Sequence, residues 1–325
     1  MSYILRRLGF YLIAAWASLT LNFLLPRLMP GDPASAIFAR AQGKLQPGAI
    51  EAMKRAYGLS NDPLPVQYFT YLRSTLSGNL GTSFTYFPSP VSQVIGAGLA
   101  WTLLLGLAAV ILSFALGSLL GVLGAWRRGG LVDSVLPPLL LFVGSFPYFW
   151  LATVAIFYLG FQWGLFPLRH AYGTEFHPGW DLSFFRSVVS HLLLPAGTVV
   201  LVSIGGWVLG MRNTMISTLA EDYVTMAEAK GLSQRRVMFA YAARNALLPN
   251  ITAFGMALGF ILSGSLITEV VFSYPGLGYQ LLTAVRGLDY PLMQGLFLMI
   301  TLAVLAANLL VDLLYVRLDP RVRVR

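Results

Sequence analysis

Apolar positions in this chain fall into long unbroken runs, not into the alternation of a half-exposed strand. Six runs, at 8–28, 99–126, 135–161, 192–211, 248–272 and 291–316, reach the length of about 20 residues that crosses a bilayer as helix. A helix satisfies its own backbone in hydrocarbon, so the pattern predicts an all-α membrane protein with six transmembrane helices. Several runs carry small residues four apart: Gly117 with Gly121, Gly206 with Gly210, Gly255 with Gly259. Such pairs let helix backbones approach closely. Pro137, Pro138 and Pro147 are expected to kink the third run. Asn22, alone in the first run, reads as a helix–helix hydrogen bond. Asn308 and Asp312 share one face near the end of the sixth.

The connections differ in character. Residues 29–98 are too polar to span and too few to build a sizeable core. Short amphipathic helices are expected over 49–57 and 66–76, with Gly78, Gly81 and Pro88 punctuating the rest. The connection after the third run holds His170 and His177, with His191 just beyond it. Their spacings are long and no ligand cluster supports them, so they read as surface histidines.

The most organised polar stretch is 221–250. Leu219, Tyr223 and Met226 repeat at i, i+4 and i+7, which predicts a short amphipathic helix ending near Lys230. Gly231 stands where a left-handed C-cap is needed. Ser233 is placed to cap a second helix through Arg235, Arg236 and Tyr241. Pro249 marks the start of the next apolar run. The expected object is a helix–glycine–helix knuckle held between two membrane spans.

Composition agrees: 57% of 325 residues are hydrophobic and only 11% charged, against about 25% charged in soluble domains. The net charge of +9 follows from loop lysines and arginines and is not a nucleic-acid footprint. Arg6 and Arg7 precede the first span, Arg127 and Arg128 follow the second, and Arg212 ends the fourth. Segments assigned to the cytoplasm hold thirteen of the 22 basic residues; of the other nine, five lie in the long first loop, which weighs little. Both termini are therefore expected inside, 29–98 outside and 212–247 in the cytoplasm. The first span follows Met1–Arg7 without a small-residue cleavage site, so it reads as retained. There is no cysteine, hence no disulfide or thiolate chemistry.

Enzyme signatures are missing from the sequence. It has no G-x-x-x-x-G-K-[ST] phosphate loop and no H-E-x-x-H, and no serine, histidine and acid converge within the spans. Glu269 and Asp312 fall near opposite ends of their spans, unlike the paired mid-membrane groups of ion-driven carriers.

The knuckle residues resemble a known family. Gly231 stands where importer permeases of the ATP-binding-cassette (ABC) class carry the glycine of their cytoplasmic coupling loop. The general Glu-Ala-Ala signature would fall on Thr225, Met226 and Ala227, of which only Ala227 matches. The dipeptide and oligopeptide branch fits better. Its pattern is matched by Tyr223-Val224, Ala227, Ala229-Lys230-Gly231-Leu232-Ser233 and Arg244-Asn245-Ala246-Leu247-Leu248-Pro249. Further stretches similar to that branch are 28–34, 65–68, 78–81, the segment from Thr268-Glu269 to Gly278, and the ending from Asp312 to Arg321.

This resemblance implies a type I importer permease (MetI-like) fold: a first helix at 1–28, an extracytoplasmic loop at 29–98, a five-helix core at 99–316 containing a coupling loop at 212–250, and a tail at 317–325. It implies a second homologous permease, two ATP-binding subunits and an extracytoplasmic substrate-binding protein. ATP and magnesium would be held by the ATPases, with no cofactor on this chain. The coupling contact would be made by Tyr223, Ala227, Glu228, Ala229, Lys230, Gly231, Leu232, Ser233, Arg235 and Arg236. Glu269 and Asn308 are polar positions for the translocation pathway. Di- to oligopeptides are the first expectation for cargo, with oligosaccharide or nickel as alternatives on the same machinery. A secondary carrier and a membrane enzyme are the rival classes.

Overall fold

The computed structural model describes residues 2–28, 62–259, 261 and 266–318. Among these there is no strand, only an isolated bridge between Thr82 and Pro90. The chain divides into two compact units: Met1–Thr102 with Pro275–Arg325, and Leu103–Tyr274. The helix expected over 49–57 lies outside the described residues.

In the first unit, α1 (Ser2–Leu28) packs along α12 (Tyr290–Leu318). Asn22 makes the helix–helix bond its position suggested: its amide donates to the Gln294 carbonyl at 2.6 Å. The helix predicted over 66–76 forms as α2 (Leu64–Leu76), with Pro65 in its first turn, where no N–H is required. The start of α3 (Val91–Trp126) and all of α11 (Leu277–Arg286) complete the unit. Thr102 Oγ1 accepts the Leu277 N–H at 2.8 Å, satisfying a free donor at the start of α11. Asp289, fully buried just before α12, accepts from Ser83 Oγ at 2.5 Å, the Thr85 N–H at 2.8 Å and the Leu292 N–H at 3.1 Å. One carboxylate thereby ties the segment before α3 to the head of α12.

In the second unit, the remainder of α3, α4 (Leu131–Gly144), α5 (Tyr148–Ala155), α9 (Arg244–Gly259) and α10 (Leu266–Val271) are arranged around α6 (Leu182–Leu219). The glycine pair of α3 does what its spacing predicted. Gly117 meets Trp207, and a Cβ on Gly121 would stand 2.7 Å from the Val208 carbonyl oxygen. Across α4 the close approaches are Gly144 on Val202 and Gly205 on Leu140. Gly206 and Gly255, expected to pack, border open space.

Three boundaries differ from the sequence expectation. The third run is broken rather than kinked: α4 and the helix from Tyr148 to Gln162 meet at 96°. Pro137 and Pro138 sit inside α4, whereas Pro147 caps α5 and cannot donate across the break. Tyr148 there bonds Thr198 of α6 at 2.9 Å. The fourth run is the middle of a 38-residue helix. At 1.5 Å per residue α6 is about 57 Å long, so its polar ends continue past a hydrocarbon core of about 30 Å. The fifth run has no fresh start at Pro249, which lies inside α9. Among the described residues three helices, α3, α6 and α12 over Tyr290–Leu309, are long and apolar enough to cross a membrane, and the bent pair makes up to four.

Candidate functional site

The knuckle stands on the projecting end of α6. After Leu219 the backbone becomes extended at Glu221, and α7 (Asp222–Ala229) begins with Asp222 in its first turn, a favourable place for negative charge. It ends at Lys230, and Gly231 takes the left-handed conformation, φ +73°. The Gly231 N–H donates to the Glu228 carbonyl at 2.8 Å, and the Leu232 N–H to that of Ala227 at 3.4 Å. This is the paired bonding of a Schellman C-cap, and it satisfies two of the carbonyls that a helix end leaves open.

Beyond it come α8 (Gln234–Arg236), a π-helical stretch (Val237–Ala243) and α9, joined without a break. The second helix of the knuckle is therefore the head of α9 and not a separate element. Ser233 occupies the N-cap position with extended backbone, but its side chain makes no capping bond; its carbonyl accepts from Arg236 and Val237 at 2.9 and 3.0 Å.

The predicted residues separate into two groups. Ala227 is buried with Val224, Val237, Met238, Ala242, Ala243 and Ala246 against Val122 and Ala125 of α3 and Met211 and Met215 of α6; Leu232 is half-buried at the edge of this core. Tyr223, Glu228, Ala229, Lys230, Gly231, Ser233, Arg235 and Arg236 face outward. The stripe of Tyr223 and Met226 is not the face that packs. They are 39% and 59% exposed, whereas Val224 and Ala227 are each 2% exposed. Burial of Val224 and Ala227 fixes the helix; of the i, i+4, i+7 stripe, Leu219 packs against the core while Tyr223 and Met226 stay exposed, as do Glu228, Lys230, Arg235 and Arg236.

Two buried polar groups brace this base, and neither was singled out from sequence. Asn250 of α9 donates to Thr214 Oγ1 of α6 at 3.1 Å and to the Ala246 carbonyl at 3.2 Å. Asp133 of α4, with a side chain only 5% exposed, is held by both arms of Arg212. Arg212 Nη2 lies 3.0 Å from Asp133 Oδ2, Nε binds Oδ1, and the Gly129 N–H donates to Oδ2 at 2.9 Å. Asp133 is the sole acid between residues 99 and 161, the one signal that could have flagged it.

The two pathway positions fall in different units. Glu269, in α10, belongs to the second and is fully buried; Asn308, in α12, belongs to the first and is half-buried. Among the described residues no group of three His, Cys, Asp or Glu side chains is placed to hold a metal. His170 and His177 are exposed, and His191 Nδ1 lies 2.7 Å from the Ser187 carbonyl oxygen one turn back in its own helix.

The knuckle thus presents an outward patch of mixed charge and apolar side chains over a buried core, at the end of α6. Comparison with known proteins places the chain in a class: it belongs to the family of binding-protein-dependent transport system inner membrane components, matched over residues 113–324. Similar proteins extend over the whole length. The chain is 35% identical to the dipeptide transport system permease protein of Lactococcus lactis subsp. cremoris, over 99% of both chains. It is 37% identical to the di/tripeptide transport system permease protein of Pseudomonas aeruginosa and 33% identical to the oligopeptide transport system permease protein of Bacillus subtilis, again over 99% of both chains. The expectation of a multi-pass permease subunit, and not of an enzyme, rests securely on these matches.

Proposed function

We propose that the chain is one of two homologous permeases in an ATP-driven importer of di- and oligopeptides. The observation that carries this is similarity over the full length to several permeases named for those substrates. Two cytoplasmic subunits bind and hydrolyse ATP with magnesium; an extracytoplasmic binding protein delivers the peptide. This chain forms half of the pathway, and Glu269 and Asn308 are its first polar positions to examine. It crosses the membrane six times with both ends in the cytoplasm, residues 29–98 outside and 212–250 as the coupling loop. ATP closes the ATPases, the knuckle moves with them, and the helices packed on it shift as rigid bodies to alternate access.

Reconstitution decides the class and the cargo. Peptide uptake into vesicles is expected only when both permeases, the ATPases, ATP and the binding protein are present. Uptake without ATPases would point to a secondary carrier, and ATP-dependent uptake of oligosaccharide but not peptide would move the cargo. Orientation is tested in the same cysteine-free chain. Arg236→Cys should resist an impermeant thiol reagent in intact cells and react fully in inverted vesicles. Labelling from outside would reverse the topology.

A further inference from the structure

Helix α2 has two faces, and α1 covers one of them. Tyr68 and Tyr71 pack on Phe23 of α1, with ring centroids 5.2 and 5.6 Å apart. The Tyr68 hydroxyl lies 2.7 Å from Thr20 Oγ1. Gln67 Oε1 accepts from Arg27 Nε and Nη2 at 3.3 and 3.2 Å, and the Arg27 guanidinium lies over the Phe23 ring. The other face carries Val66, Phe69 and Leu76, the last two 70% and 80% exposed, with Arg73 between them. At 100° per residue these four fall within an arc of roughly 80°.

The contacts with α1 also fix the level of α2. Among the described residues the apolar stretch of α1 takes in Gly9–Leu24, and Leu21 and Leu24 are exposed on it. Thr20 lies inside that apolar part, about 12 Å along the axis from the end of the helix. Helix α2 is thus held beside the last turns of a membrane helix, not beyond them. At that level an apolar stripe meets acyl chains, tyrosines suit the boundary, and an arginine reaches headgroups on its flexible stem.

We infer that α2 is an interfacial helix. Its Val66, Phe69 and Leu76 face lies in lipid of the leaflet at the C-terminal end of α1, continuous with the lipid-facing side of α1, and Arg73 meets lipid phosphate. The inference rests on α1 crossing the membrane and is independent of the cargo.

The test uses the complete importer in nanodiscs of phosphatidylethanolamine and phosphatidylglycerol. Single cysteines Phe69→Cys, Leu76→Cys and Thr70→Cys carry a bimane fluorophore, and the lipid carries a spin label near the head or near the methyl end of its acyl chain. Leu21→Cys is the membrane reference. Phe69→Cys and Leu76→Cys should be quenched at least about threefold more than Thr70→Cys, and more by the shallow label than by the deep one. Equally weak quenching at all three α2 positions, with Leu21→Cys quenched, would overturn the inference. So would a Phe69→Cys signal that ignores lipid and changes only when the binding protein is added, which would give this face to that protein. Co-purification of the partner subunits certifies folding; Val66→Cys replaces any variant that fails it.

Discussion

Gly231→Val is expected to leave the permease inserted and paired with its partner, and to lower binding-protein-stimulated ATP hydrolysis by roughly 5- to 30-fold. The expectation follows from backbone alone. An added Cβ would meet nothing within 4 Å, so no clash opposes the substitution, but φ stands at +73°. A left-handed backbone costs a side-chain-bearing residue about 1–2 kcal/mol, and a β-branched one tolerates it worst. If α7 unwinds its C-cap to escape that strain, the bonds from Gly231 and Leu232 to Glu228 and Ala227 are lost together. The outward group of Tyr223, Met226, Glu228, Arg235 and Arg236 then shifts against whatever it docks on. Energies of 1–2 kcal/mol change a population ratio by about 5- to 30-fold, which sets the magnitude. Gly231→Asn supplies the control, since asparagine enters the left-handed region at lower cost and should recover most of the stimulation. If Gly231→Val keeps full ATPase content and full transport, the knuckle is not the drive contact. If it fails to assemble while Gly231→Asn assembles and couples normally, the glycine serves folding of the loop alone.

How much of this geometry was legible beforehand depends on what kind of signal carried it. Gly231 was readable because a left-handed C-cap has few other residues to choose from. Which face of α7 packs was not, because Leu219, Tyr223 and Met226 make as good a stripe as Val224 and Ala227 do. The choice between them is made by the floor of the knuckle, where Met211 and Met215 on α6 are joined by Val122 and Ala125 on α3, about 100 residues away in sequence. Hydropathy located membrane and not helix: α6 runs from Leu182 to Leu219 because its polar flanks keep helical bonding outside the apolar stretch. In the third run the prolines were visible, but three of them offered three places for a bend. Only Pro147 lies at the break, where the Ser145 and Phe146 N–H groups turn back to Phe142 and Val143. The buried polar braces had no local signal. Asp133 and Arg212 are 79 residues apart, Asn250 and Thr214 are 36 apart, and no periodicity links such pairs.

The Asp133–Arg212 pair sets the other large expectation, and it is asymmetric. The carboxylate is nearly closed off while the guanidinium keeps about a quarter of its surface, with side-chain exposures of 5% and 24%. Arg212→Met leaves a largely enclosed carboxylate with only the Gly129 N–H as a hydrogen-bond donor and the nearby charge of Arg128, and should cost about 3–5 kcal/mol. Asp133→Asn leaves behind a guanidinium that can rehydrate, and should cost about 1–3 kcal/mol. The double substitution Asp133→Leu with Arg212→Met removes both charges and should recover most of the loss, because a buried ion pair replaced by apolar side chains is often close to neutral. Thermal unfolding of the purified complex should therefore rank wild type and the double variant together, then Asp133→Asn, then Arg212→Met. Arg212 follows Met211 in the floor of the knuckle, and Asp133 lies in the first turn of α4, so the pair also fastens α4 to the base that carries α7. If the pair transmits motion, the double variant will match wild type in stability and in basal hydrolysis, yet fall several-fold short in peptide uptake per ATP. If the double variant is as unstable as Arg212→Met, the geometry at this joint cannot be replaced by packing, and the proposed asymmetry is wrong.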